Sequence, residues 1–156
     1  MISSTPSDFV LVKTSPNSPT QLPINSTIPK HHQVSTMAPI ALQHFPKAQS
    51  EFKPPLIANE NAYLGDIVSS EQNDKVAPIS GGIYRLEKGT PLVYEYTYHE
   101  IKLIIDGHFY ISDEAGNKVK AEKGDVFYFP KGSKITFTTD DFGVGFFVGQ
   151  RKQGGA

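Results

Sequence analysis

The chain has 156 residues, 38% of them hydrophobic and 20% charged, with a formal net charge of -1 at pH 7. That length supports one medium-sized core, the near-neutral balance offers no broad basic field to a nucleic acid, and no apolar run approaches the ~18 to 20 residues of a bilayer span. The sequence contains no cysteine, which excludes disulfides, thiolate metal sites and cysteine nucleophiles; a cytoplasmic protein is expected.

In chain order, the first segment is residues 1–36. Nine of the twelve prolines lie within residues 1–55, no glycine precedes Gly65, and Ser or Thr fills twelve of the first 36 positions. Such a segment buries too little apolar surface to offset the entropy of ordering it, so it reads as a disordered tail. Its start lacks the charged and apolar regions of a secretory signal. Poor in acids and rich in Ser, it faintly matches a transit peptide but carries no Arg and no amphipathic period. Met37 is a candidate alternative start, and His31 and His32 read as solvated. Residues 37–60 read as an arm, with at most a short helix near residues 40–50, expected to pack on the barrel or on a dimer mate.

From about Ile79 the chain becomes a series of short runs rich in β-branched and aromatic residues: "GGIYRLEKG", "LVYEYTYHEIKLIIDG", "HFYISDEAGNKVKAEKGD", "VFYFPKGSKITFTTDDFG" and "VGFFVGQR". Gly-bearing turns such as "DEAGN", "EKGD" and "PKGS" separate them. Thirteen of the seventeen aromatic residues follow Ile83, which places the core there. The pattern predicts an all-β, single-domain sandwich or barrel over residues 61–150.

Gly124, Pro130 and Gly132 of "GDVFYFPKGSKITFTT" match the frame of the second motif of the cupin superfamily, G-x5-P-x-G-x2-H-x3-N. Ile135 stands at its His position and Thr139 at its Asn position. Glu100 and Gly107 meet part of the first motif, with Gly89 one residue out of register. Tyr94 and Tyr96 stand where two histidines would fall. Over residues 60–150 the chain resembles EutQ-type ethanolamine-utilisation cupins and their ureidoglycine-aminohydrolase-like relatives. The resemblance implies a jelly-roll barrel without the usual metal-binding histidines, found in EutQ-like cupins too, and a homodimer.

Strand alternation puts Tyr94, Tyr96, Tyr98, Glu100 and Lys102 on one face and Glu95, Thr97, His99 and Ile101 on the other. In the cupin register the first set lines the barrel mouth. One carboxylate does not make a metal site, and a phenol keeps its proton near neutral pH, so no metal or other cofactor is expected. The candidate catalytic residues are Glu100 as acid/base, with Lys102 and Tyr96 placing the substrate. Tyr94, Tyr98, Tyr128, Ile135 and Phe137 are candidate substrate contacts for a small polar metabolite. Two other readings stay open. Glu100 and Lys102 form an ion pair without chemistry in a ligand-binding or assembly module, or Glu95, His99 and Glu100 hold a metal irregularly. His108 reads as a surface residue, and His44 has no assigned role.

Overall fold

Alternating residue types become alternating faces in the computed structural model of the protein, which describes residues 39–156. The expectations for residues 1–36, including His31 and His32, and for Met37 lie outside the described residues. Within Leu42–Ala156, which cluster as one unit, one helical turn, α1 (Ala48–Glu51), precedes nine strands. These are β1 (Leu56–Ala58), β2 (Ala62–Ser69), β3 (Ser80–Glu87), β4 (Leu92–Glu95), β5 (Glu100–Asp113), β6 (Lys118–Glu122), β7 (Val126–Phe129), β8 (Lys134–Thr138) and β9 (Phe142–Gly149).

All the strand pairs are antiparallel, and β5 is the element that joins the two sheets. Its first half lies between β9 and β7, at the end of the order β1-β2-β3-β9-β5-β7. After a bulge between Ile104 and Asp106 its second half lies between β6 and β8, in the order β6-β5-β8-β4. Gly107 makes this passage possible. Its φ is +59°, and a Cβ there would run into the Phe142 carbonyl oxygen, so both backbone shape and close approach call for glycine.

The sheets enclose an aromatic core. Tyr84 stacks on Phe109 at 5.6 Å between ring centroids, and Phe137 meets Tyr84, Phe109 and Phe129 edge-on. Such pairs add specific geometry to the burial of large apolar area. The all-β jelly-roll barrel is the fold the sequence leads to, with two strands more than its texture suggests. The strand-like texture begins at Ile79, whereas β2 is interrupted by Gly65 and Asp66, residue types that weaken strand propensity. Tertiary contacts override that weakness. The Phe52 ring lies against Gly65, and Arg151 grips Asp66.

Candidate functional site

The interior polar groups are set by one uneven stretch of chain. β4 ends at Glu95, and the backbone leaves strand geometry until Glu100 starts β5. Backbone bonds from elsewhere hold this gap. Tyr96 N–H donates to Ser133 O at 2.9 Å, Gly132 N–H to Tyr96 O at 2.7 Å, and Gln150 N–H to His99 O at 2.9 Å. The turn at Pro130–Ser133, where Gly132 has φ +89°, therefore positions Tyr96. The turn residues that match the cupin frame serve this backbone role, and Ile135 stands at the frame's His position. Alternation survives the break. Tyr96, Tyr98, Glu100, Lys102 and Ile104 are buried, whereas Thr97, His99, Ile101 and Leu103 face out.

Inside, the donors converge on Glu100. Lys102 Nζ lies 3.0 Å from Glu100 Oε1, Tyr96 OH donates to the same oxygen at 3.0 Å, and Tyr98 OH donates to Oε2 at 3.4 Å. Behind them Tyr94 OH donates to Tyr98 OH at 3.3 Å, and Lys102 Nζ to Tyr96 OH at 3.4 Å. The ammonium also lies over the Tyr84, Phe137 and Phe129 rings, at 4.5, 4.8 and 5.4 Å from their centroids. Only 1% of the Glu100 side chain and 3% of the Lys102 side chain is exposed. Such burial is tolerable because each charge is paired and hydrogen-bonded. Burial, then the nearby Glu100 charge, pushes the Tyr84, Tyr96 and Tyr98 hydroxyls well above the usual phenol range. These phenols stay protonated near neutral pH and act as donors.

Tyr94, Tyr96, Tyr98, Glu100, Lys102 and Phe137 line one cavity, closed in by Ile57, Leu64 and Ala156. It is narrow. The centre of a water molecule has about 20 Å³ in which to move, enough for about one small polar group as the side chains stand. Two candidate contacts lie elsewhere. Ile135 is buried but lines a second cavity with Ser112, Asp113, Asn117 and Ser133, and Phe129, stacked on Tyr96 at 4.9 Å, lines that cavity as well. Tyr128 is 61% exposed. Its register partner is Ile101, so its ring faces outward with that residue, and its hydroxyl shares a hydrogen bond with His99 Nδ1 at 2.8 Å. The expectation that Tyr128 and Ile135 share the Glu100 cavity is therefore corrected: β7 presents Tyr128 on the face opposite Phe129, and Ile135 belongs to the neighbouring chamber.

The cupin fold commonly houses a metal, and these residues do not fit one. Glu95 and His99 lie on the exposed face while Glu100 points inward, so the irregular ligand set does not converge. No group of three or more His, Asp or Glu side chains suited to an ion occurs among the described residues. The barrel interior holds the Lys102 ammonium beside Glu100.

Residues from distant strands complete the site. Tyr84 of β3 lines the cavity, and Arg151, past β9, lies 5.3 Å from the Tyr98 ring centroid. Arg151 is fixed by Asp66 through bonds of 2.7 and 2.9 Å. The alternation of "GGIYRLE" could have flagged Tyr84 with Leu86 as one inward face. Nothing in the sequence marks the pairing of Asp66 with Arg151, 85 residues away.

The sequence model of the family described as ethanolamine utilisation protein EutQ matches residues 56–148. A Clostridioides difficile (strain 630) protein named acetate kinase EutQ is 32% identical over 80 residues, which are 51% of this chain and 48% of that protein. The chain thus spans about half the length of that curated relative. The solved structure of the Clostridium difficile EutQ protein aligns with a TM-score of 0.49 and 29% identity, over 57% of this chain and 67% of that one. A cupin-like protein of Thermotoga maritima aligns with a TM-score of 0.54 and 15% identity, over 64% of this chain and 80% of its own, a likeness of fold. Among the described residues no helix is long and apolar enough to cross a membrane.

Proposed function

Because this chain belongs to the EutQ family of cupins, we propose that its barrel binds a small polar metabolite beside Glu100 and acts on it by proton transfer, without a metal. One observation carries this reading: a chamber of aromatic and aliphatic side chains holds a buried carboxylate on which an ammonium and two phenols converge. Glu100 gives or takes the proton. Lys102 and Tyr96 fix its orientation, and Tyr94 and Tyr98 line the same cavity with their hydroxyls hydrogen-bonded to each other. Such an arrangement suits a lyase, isomerase or hydrolase step in which charge develops on an oxygen. The narrow cavity favours a compound of very few atoms. The Clostridioides difficile relative is named acetate kinase, which points to a two-carbon oxygen compound; the phosphoryl transfer in that name differs from the proton transfer proposed here, and a compound of that size enters only if the lining side chains move. The family description supports a role in ethanolamine utilisation, and a cytoplasmic homodimer is part of the same proposal.

A second reading, a non-catalytic assembly module, draws on the apolar side chains Ile101, Leu103, Val126 and Tyr128, exposed on paired strands β5 and β7. A thermal-shift screen of two-carbon alcohols, aldehydes, amides and acids, followed by turnover assays on the hits, separates the two. The enzymatic reading expects a stabilising compound whose turnover falls about 100-fold or more in Glu100→Gln, while binding persists. Glu100→Asp, which keeps the charge but shortens its reach, should retain part of the rate. Turnover in Glu100→Gln equal to that of the unaltered chain sinks the catalytic role, and co-purifying partner proteins without any stabilising metabolite favour the assembly module.

A further inference from the structure

The Glu100 chamber adjoins a larger space. Ile57, Leu64 and Ala156 line the chamber and also line an outer cleft, together with Asp66, Gln153 and Gly154. In that cleft the centre of a water molecule has about 300 Å³ in which to move, against about 20 Å³ in the chamber. The three shared residues are thus the boundary between a roomy outer space and a tight inner one. We propose that Ile57, Leu64 and Ala156 form the gate of the Glu100 chamber, that residues 152–156 lift to open it, and that the gate sets the size of compound admitted.

The three gate residues differ in how firmly they are held. Leu64 lies on β2, which pairs with β3, and its own N–H donates to Pro55 O at 3.0 Å; Ile57 lies on β1, which pairs with β2. Ala156 belongs to residues 152–156, which are exposed throughout and lie in no strand. Among the described residues, three hydrogen bonds tie this segment down. Gly154 N–H donates to Asp66 Oδ2 at 2.6 Å, Gln153 N–H to Glu71 Oε2 at 3.2 Å, and Arg151 Nη1 to Lys152 O at 3.0 Å. An exposed segment held in this way opens at far lower cost than a strand leaves its sheet. Asp66 is clamped by Arg151 through two further bonds, so the latch keeps its place while the segment lifts. The inference rests on the Glu100 chamber being the ligand site and names the movement by which a two-carbon compound reaches it.

Because the chain has no cysteine, a single thiol can report on access. Leu92 lines the chamber and is 9% exposed, so Leu92→Cys in the full chain places the thiol behind the gate. Its rate of reaction with methyl methanethiosulfonate is measured with and without Gly154→Pro. Proline removes the N–H that binds Asp66 and cannot adopt the φ of +70° found there, so the segment no longer seats. Labelling should become about five- to ten-fold faster, the effect of losing one hydrogen bond to a charged group. Leu64→Ala should speed the bulkier N-ethylmaleimide more than the smaller reagent. Should Leu92→Cys not fold, Leu64→Cys carries the thiol in the Gly154→Pro comparison. An unchanged rate in Gly154→Pro, or equal acceleration of both reagents in Leu64→Ala, overturns the gate. So does an acceleration matched by a rise in the global unfolding rate in urea. Thiol access is read without any metabolite, so these outcomes stand apart from the Glu100→Gln turnover assay, which decides whether Glu100 moves a proton.

Discussion

At the scale of single residues, the Glu100–Lys102 pair is the most deeply buried ion pair among the described residues. Removing one partner strands the other charge in an aromatic interior, at about 3 to 5 kcal/mol. Glu100→Leu and Lys102→Met should each be destabilising by that order in urea unfolding, while the double variant should lose less than either single. A double variant whose loss equals the sum of the singles would show two independent groups. The phenols give a second test. In the folded chain Tyr84 and Tyr96 hold their protons far above the usual range because of burial, then the Glu100 charge. The unfolded chain ionises them near pH ~10. Their contribution is therefore present below about pH 10 and is lost as pH rises toward the folded values. Stability should fall between pH 10 and 11 by up to about 1.4 kcal/mol per pH unit for each of the two. Urea unfolding curves that superimpose over that interval would contradict their burial.

At the scale of elements, the alternation from Tyr94 to Lys102 was legible in the sequence because a period of two persists even where the backbone leaves the strand at Tyr96–His99. It correctly divides Tyr96, Tyr98, Glu100 and Lys102 from His99 and Ile101. Tyr128 was not legible. Its side depends on how β7 registers against β5 after an intervening hairpin, and residue types alone do not fix that register. Strand β2 was hidden by Gly65 and Asp66, whose compensation comes from Phe52 and Arg151 elsewhere in the chain. Gly107 shows the opposite case, a position marked in the motif whose physical reason appears in the structure. Gly107→Ala puts a Cβ onto the Phe142 carbonyl and strains a φ of +59°. It should cost about 2 to 4 kcal/mol in urea unfolding, and a loss below about 0.5 kcal/mol would mean that β5 does not need this bend.

At the scale of the whole molecule, the jelly roll encloses an ion pair and phenols where cupins commonly keep a metal, and its outer sheet exposes Ile101, Leu103, Val126 and Tyr128 together. An apolar face of this kind is suited to a second copy of the chain. Sedimentation at micromolar concentration should give a dimer that Ile101→Glu with Val126→Glu converts to monomer; a monomeric unaltered chain would remove that proposal and leave the barrel untouched. The central claim concerns the interior, and one measurement addresses it most directly. With tyrosine rings isotopically labelled and assigned, the full chain is titrated with two-carbon oxygen compounds. The account predicts that a binding compound shifts the ring signals of Tyr84, Tyr94, Tyr96 and Tyr98 and leaves that of Tyr128 in place. A compound that binds while moving Tyr128 and sparing those four, or a full series that moves none of them, would contradict it.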